Sequence, residues 1–228
     1  MGIAMTFAER PSDAIHLPPL DLWSDEPLLD SDLHREQMEL LLACLRWWWR
    51  DRTDYYASGN LTIYYSETKI TTRDFRGPDF FVVLGTGNHP RRSWMLWAED
   101  GKYPNVIIEL LSNSTATVDR TQKKQLYQDT FRTPEYFWFH PETMEFEGFR
   151  LMAGRYHPIK PNAQGWRWSQ QLGLFLGICD RQLRYFTTDG QMVPSPEERA
   201  NHTQQELEAL QAKLRALGID PDAPTPNL

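Results

Sequence analysis

Residues 106–111 constrain the fold of this chain more than any other feature of its sequence. The segment is Val-Ile-Ile-Glu-Leu-Leu, a continuous apolar run that contains one acidic residue, Glu109. Its first three residues are β-branched and show no alternation of polar and apolar positions. Such a run is typical of a strand that is buried on both faces of a sheet. A fold with elements packed on both faces of a sheet is therefore expected.

The remaining sequence predicts the elements that such a sheet requires. An amphipathic helix is expected from residues 30–32, whose side chains suit an N-cap, to about Trp49. A break at residues 50–60 separates it from strand-like runs at residues 61–65, 80–84, 94–97 and 106–111. A second helix is predicted from an N-cap at Asp119 to about Thr130, and strands at residues 136–139 and 146–151 follow. This order predicts an α/β fold with a mixed β-sheet flanked by helices.

The C-terminal part of the chain differs from the rest. Residues 197–217 lack aromatic side chains, and four leucines recur there at spacings of three and four: Leu207, Leu210, Leu214 and Leu217. This pattern is typical of a coiled-coil seam, which either pairs with a second copy or lies against its own domain. The predicted organisation is an extended lead-in at residues 1–30, one α/β domain at residues 31–190, and a C-terminal helical arm and tail at residues 191–228.

Composition limits the classes of protein that the chain can represent. The 228 residues are 40% apolar and 13% aromatic, which is enough for a packed core. No apolar run approaches the roughly 18 residues of a membrane span, and residues 1–19 lack the order of a signal peptide. Cys44 and Cys179 lie far apart without metal-ligand spacing. They are expected to be free thiols in a reducing compartment, so the sequence predicts a cytoplasmic protein without a membrane anchor.

Charge is distributed unevenly along the chain, whose formal net charge is −7. Residues 1–72 carry 6 basic and 12 acidic side chains, and residues 133–228 carry 9 and 12. Residues 73–132, in contrast, carry 9 basic and 7 acidic side chains, a net charge of +2. Any polyanionic partner is therefore expected to contact the middle of the chain.

Two carboxylates and one lysine form the candidate catalytic group. Asp79 opens one predicted strand, and Glu109 lies inside another, where burial costs several kcal/mol unless the carboxylate is paired or binds a cation. At 100° per residue, Lys123 falls between Leu126 and Tyr127, inside the apolar face of the second helix. Glu109 could instead pair with an arginine, and the ammonium of Lys123 could reach solvent. The functional interpretation is that Lys123 reaches Glu109 across the interface between helix and sheet.

This combination of side chains suits metal-dependent phosphodiester cleavage. Carboxylate oxygens are the ligands that Mg²⁺ prefers, and Mn²⁺ accepts them equally. The metal would polarise the phosphate and activate a water molecule. The ammonium would orient that water or stabilise the developing negative charge.

Four sequence segments carry a resemblance to a known family. They are Pro78-Asp79, Glu109 within IIELLS, STATVDRTQKKQLY at residues 114–127, and PEYFWFHPE at residues 134–142. Together they resemble the PD-(D/E)XK nuclease superfamily and, more closely, its Uma-type family of bacterial restriction endonucleases. The resemblance covers roughly residues 31–190. It implies a restriction-endonuclease-like fold, DNA as the partner, and Mg²⁺ or Mn²⁺ held by Asp79 and Glu109.

The resemblance also implies that the catalytic lysine has moved from a strand to a helix. The strand position of the superfamily pattern, two residues after Glu109, holds Leu111 in this chain. The helix lysine of the family follows an aspartate by four residues, which matches Lys123 after Asp119. Asp119 and Tyr127, at the same spacing of four, are candidate supporting residues.

The remaining candidates have a structural explanation beside the functional one. His34 falls on the apolar face of the first helix, where it either approaches the site or is a core residue. Arg73, Arg76 and Arg120 could contact phosphates or be solvated.

Two functions of different classes follow from the sequence. The first is a metal-dependent DNA endonuclease, acting as a homodimer whose two sites each cut one strand. The alternative is a catalytically inactive, nuclease-like module that binds nucleic acid or another protein. The acidic net charge and Leu111 favour the alternative, whereas the two carboxylates and the lysine favour the enzyme.

Overall fold

The fold centres on one mixed sheet. The structure, a computed structural model, describes residues 22–24, 31–66, 75–112 and 114–217. Its strands are β1 (Tyr55–Ser58), β2 (Ile63–Tyr64), β3 (Phe75–Arg76), β4 (Phe80–Leu84), β5 (Trp94–Met95), β6 (Val106–Leu110), β7 (Glu135–Phe139), β8 (Phe146–Met152), β9 (Arg155–Pro158), β10 (Arg167–Ser169), β11 (Leu174–Cys179) and β12 (Gln182–Phe186). Six of them form the main sheet in the order β1-β4-β6-β7-β8-β9. Only β6 and β7 are parallel neighbours there, and the other pairs are antiparallel.

Both faces of the main sheet are covered, as the sequence predicts. Every residue of β6 and of β7 is buried. On one face, Val106 and Ile108 pack with helix α1 (Asp32–Trp48) and with the antiparallel sheet of β10, β11 and β12. On the other face, Ile107 packs with a continuous helical segment at residues 116–129 and with the small sheet of β3, β2 and β5. The predicted mixed sheet flanked by helices is confirmed.

Three local predictions were wrong. Residues 50–60 were predicted as a break, but they contain β1, which pairs with β4 along one edge of the sheet. The run at residues 94–97 continues as a strand only to Met95 and then forms a 3₁₀ turn at Leu96–Ala98. The second helix begins at Ala116, so Asp119 lies within the helical segment and not at its N-cap.

The predicted C-terminal helix forms as α4 (Pro196–Ala216). A capping box between Ser195 and Glu198 starts it, and an ion pair of 2.6 Å between Arg184 and Glu198 ties its first turn to β12. Further along, Leu207 and Leu210 are 48% and 55% exposed. These leucines therefore do not pack against the domain, and their pairing with a second copy stays a prediction.

Some expectations fall outside the described residues. They include Arg73 and the predicted lead-in, apart from residues 22–24. Within the described ranges, no helix is long and apolar enough to cross a membrane.

Candidate active site

Strand pairing brings the two predicted carboxylates together. β4 runs antiparallel to β6 with Phe80 opposite Ile108, so Asp79, just before β4, lies beside Glu109. The backbone N–H of Asp79 donates to Oε2 of Glu109 at 3.4 Å. In return, Oδ2 of Asp79 accepts a hydrogen bond of 2.7 Å from the backbone N–H of Leu110. These reciprocal contacts hold both acidic side chains at the end of β6.

A glycine allows the chain to approach Asp79 closely. A Cβ atom at Gly59 would lie 2.6 Å from the carbonyl oxygen of Asp79 and 2.4 Å from Sδ of Met38. Distances this short are excluded for real side chains, so only glycine fits between α1 and the turn before β4. Gly59 thereby helps to fix the backbone that carries the first carboxylate.

The side-chain partners of Glu109 in the described ranges come from the helical segment, and no arginine is among them. The side chain of Glu109 is completely buried. Its Oε1 accepts a hydrogen bond of 2.7 Å from the hydroxyl of Tyr127, and its Oε2 accepts one of 3.1 Å from Nζ of Lys123. The predicted contact between Lys123 and Glu109 is therefore present in the structure.

Lys123 joins Glu109 to a third carboxylate. Its ammonium lies 2.7 Å from Oδ1 of Asp119, and its side chain is 20% exposed. Asp119 is 1% exposed, and its Oδ2 accepts no hydrogen bond from the part of the chain that the structure describes. One cation thus lies between two buried carboxylates, next to Asp79 on the neighbouring strand.

A π-helical turn places Asp119 and Lys123. The helical segment consists of α2 (Ala116–Val118), a π-helical turn (Asp119–Lys123) and α3 (Lys124–Asp129). The carbonyl of Asp119 accepts from the backbone N–H of Lys124 and, at 2.9 Å, from the hydroxyl of Tyr136 on β7. Such turns are rare and often occur at functional sites. Tyr136 therefore supports the backbone that positions the lysine.

Burial and mutual repulsion raise the pKa values of the acidic groups. Burial raises the pKa of Glu109 to about 7, although the charge of Lys123 opposes this shift. The pKa values of Asp79 and Asp119 are also raised, chiefly by burial. For Lys123, burial acts to lower the pKa, but the charges of Glu109, Asp119 and Asp79 outweigh it and raise the pKa. The amine is therefore held as an ammonium ion.

The other predicted site residues make different contacts. His34 is buried, and its Nε2–H donates to the carbonyl of Leu111 at 3.1 Å while its Nδ1 accepts from the hydroxyl of Ser31 at 2.7 Å. These bonds tie the start of α1 to the end of β6. Arg120 pairs with Glu145, and its Nε donates at 3.1 Å. Arg76 lies on β3 opposite Ile63.

One contributor to the site, Tyr136, was not predicted. It lies in the very apolar strand β7, where an aromatic residue signals only burial. Its contact with Asp119 arises because β7 is parallel to β6 and pairs Tyr136 with Ile107, on the face that the helical segment covers. No local sequence signal distinguishes this tyrosine from its aromatic neighbours.

The donor set fits a divalent cation that is held in part by water or substrate. No group of three or more His, Cys, Asp or Glu side chains in the described ranges is spaced as a complete metal site. Asp79 and Glu109 nevertheless supply two adjacent carboxylates, and Mg²⁺ is often held by only one or two of them together with phosphate oxygens. When all three carboxylates are ionised, Lys123 balances only one of their negative charges. A divalent cation would compensate the excess.

The structure thus combines a mixed α/β fold with acidic strand residues that meet a helix lysine. Residues 25–179 match the Uma2 family, which is described as "Putative restriction endonuclease". The match covers more than half of the chain, so this protein belongs to the Uma2 family. The fold is accordingly restriction-endonuclease-like, with a C-terminal helix.

Similar chains occur among solved structures. One of them is described as "a putative nuclease belonging to DUF820" from Anabaena variabilis, with 12% sequence identity and a TM-score of 0.48. The similarity covers 64% of this chain and 76% of that one. No curated protein shows significant similarity to the chain.

Proposed function

We propose that this protein is a metal-dependent DNA endonuclease that hydrolyses phosphodiester bonds. The observation that carries the proposal is the convergence of Asp79, Glu109 and Lys123 at the end of β6. Membership of a family described as "Putative restriction endonuclease" supports the same class of reaction. Asp79 and Glu109 would hold Mg²⁺ or Mn²⁺, which when bound supplies Lewis acidity toward the phosphate and lowers the pKa of a water molecule.

Each residue of the site has a distinct role in this proposal. Lys123 acts as a cation, since the surrounding carboxylates retain its proton. It would therefore stabilise negative charge on the phosphate and not accept a proton from water. Asp119 orients the ammonium through their contact of 2.7 Å. Tyr127 fixes the carboxylate of Glu109 through the hydrogen bond to its Oε1.

The proposal extends to the partners of the protein. A homodimer paired through α4 would bring two sites to one duplex, one for each strand. We also propose a cytoplasmic location, because Cys44 and Cys179 are free thiols that would stay reduced there.

An inactive nuclease-like module is the second candidate, and one observation favours it. Leu111, completely buried, occupies the strand position at which the superfamily pattern has lysine. Lys123 takes the role of that lysine only if its ammonium contacts the phosphate that is cleaved. The two functions therefore differ in whether removal of Lys123 abolishes a measurable reaction.

Cleavage assays distinguish these functions. Purified protein should cut plasmid or single-stranded DNA in the presence of Mg²⁺ or Mn²⁺ but not of EDTA. Asp79→Ala and Lys123→Ala should each reduce the rate by at least about a hundredfold, because they remove a metal ligand and the stabilising cation. Lys124→Ala, which removes the adjacent lysine whose ammonium lies over the ring of Phe149, is the matched control and should leave the rate unchanged. Cleavage that persists in both Asp79→Ala and Lys123→Ala would disprove the assignment of the site.

A further inference from the structure

An exposed tryptophan lies beside the small sheet that carries β2. The indole-bearing residue Trp23 is 67% exposed, the highest value among the large aromatic residues that the structure describes. Its backbone is nevertheless held firmly. The carbonyl of Trp23 accepts from the hydroxyl of Tyr64 at 2.8 Å, and the backbone N–H of Ser24 donates to the carbonyl of Arg92 at 3.0 Å. The ring is thus presented to solvent on an ordered backbone.

Arg92 gives this surface a positive charge. Its guanidinium lies 4.5 Å from the centre of the Trp23 ring, and it forms no ion pair within the described ranges. The acidic neighbour Glu99 is already neutralised by Arg91, which donates to it at 2.9 Å. A cavity of about 300 Å³ opens beside Arg92, with His89 and Ser93 in its wall. The surface therefore combines an aromatic ring, a cation without an acidic partner in the described ranges, and an adjoining cavity.

This surface is close to the candidate active site. The backbone N–H of Asn60 donates to the carbonyl of Pro78, which precedes Asp79, at 3.1 Å. Asn60 is two residues, or at most about 7 Å, from Thr62. The backbone N–H of Thr62 in turn donates to Oγ of Ser24 at 3.1 Å. These steps place the backbone of Trp23 within roughly 25 Å of the backbone of Asp79.

We propose that Trp23 and Arg92 form a binding site for an unpaired base and its phosphate in the nucleic acid that occupies the active site. The inference rests on the proposed function and deepens it, because it identifies substrates with single-stranded segments as the preferred class. The indole would stack on the base while the guanidinium contacts the phosphate. Bases in an intact duplex stack on each other and expose no face to such a ring.

Charge favours a nucleic acid over a protein at this surface. Exposed Trp and Arg residues are also common in protein interfaces. Here, however, the cation has no acidic partner in the described ranges, and it belongs to residues 73–132, whose net charge is +2 in an otherwise acidic chain. A polyanion is the partner that complements this distribution.

Binding in EDTA, where metal-dependent cleavage is absent, tests the proposal. Fluorescence anisotropy would compare a fluorescein-labelled single strand with the duplex of the same sequence. The wild type should prefer the single strand, and Trp23→Ala should weaken that binding by about tenfold while changing duplex binding by less than about twofold. Trp23→Phe should keep most of the affinity. Trp48→Ala, which removes another exposed tryptophan, is the control and should have no effect.

Arg92→Gln supplies a second readout. Loss of one phosphate contact should reduce the slope of log Kd against log salt concentration by about one unit. Equal single-strand binding by Trp23→Ala and the wild type would overturn the inference. The proposed nuclease activity would still be tested separately by the cleavage assays. Absence of binding to either DNA would also overturn the inference. A change in self-association on Trp23→Ala would overturn it as well, because it would indicate an interface between copies of the chain.

Discussion

Two buried glutamates lie in adjacent parallel strands, and their different surroundings indicate a structural role for one and a chemical role for the other. Glu135 accepts hydrogen bonds from Arg150 at 3.0 Å, from the backbone of Gln170 at 2.9 Å and from the hydroxyl of Ser169. Glu109 pairs with no arginine of the described residues, and its lysine is shared with another carboxylate. The first glutamate is stabilised where it lies, whereas the pKa of the second is raised to about 7 by burial. A costly, incompletely compensated charge is typical of a functional site.

Replacing each glutamate by glutamine should therefore have opposite consequences. Glu109→Gln should abolish cleavage but leave the free energy of unfolding within about 1 kcal/mol of the wild type, or raise it, because the neutral amide removes the cost of burying a charge. Glu135→Gln should lower it by about 3 kcal/mol, since it breaks a buried ion pair, while folded protein retains activity. Urea denaturation and cleavage assays on the same preparations measure both effects. Strong destabilisation by Glu109→Gln would indicate a structural role.

At the scale of elements, the π-helical turn determines which side chains meet. An α-helix places residues four apart on one face, and a wider turn changes that relation locally. The structure puts this change between Asp119 and Lys123, whose side chains contact each other beside the carboxylates of the sheet. The hydroxyl of Tyr136 binds the carbonyl at which the turn begins. The geometry of the site thus depends on Tyr136, although its hydroxyl binds the backbone of Asp119 and neither Glu109 nor Lys123.

Tyr136→Phe tests this positioning role, because it removes only that hydroxyl and keeps the ring. We expect kcat to fall by about tenfold with KM nearly unchanged, and the dependence on metal concentration to shift, since Lys123 and its carboxylates lose their alignment. Tyr156→Phe is the matched control. It removes a hydroxyl that donates to the carbonyl of Thr133 at 2.9 Å, from a ring that stacks on Tyr136. Equal kinetics of the two variants would mean that the hydroxyl of Tyr136 contributes stability alone.

These elements also show what sequence patterns reveal and what they omit. The run at residues 106–111 predicted a buried strand, which the structure ends at Leu110, because burial on both faces leaves a local pattern. Helical spacing predicted that Lys123 faces the sheet. The strand β1 was missed because its pairing with β4 bridges more than twenty residues and leaves no turn signal. The π-helical turn and the partner of Asp119 were missed for the same reason, since both depend on tertiary contacts with β7.

At the scale of the whole molecule, the helix α4 extends the fold without contributing to its core. None of its residues is buried, yet leucines recur along one side of it. An apolar seam exposed to water is unfavourable unless it has a partner, and the spacing of these leucines suits a second copy of the helix. A dimer would carry two active sites, so that each site could cut one strand of a duplex.

Leu207→Asp with Leu210→Asp should separate such a dimer, because both side chains are about half exposed and the charges would repel across the seam. Sedimentation should show loss of the dimer at micromolar protein. The products of plasmid cleavage should shift from linear to nicked circles, since each encounter then delivers one active site. Gln205→Asp with Ala212→Asp adds the same charge to the opposite face of α4 and should change neither result. Unchanged mass in the leucine variant would exclude α4 from self-association. Linear products from a variant that is monomeric by sedimentation would mean that a single site cuts both strands in sequence.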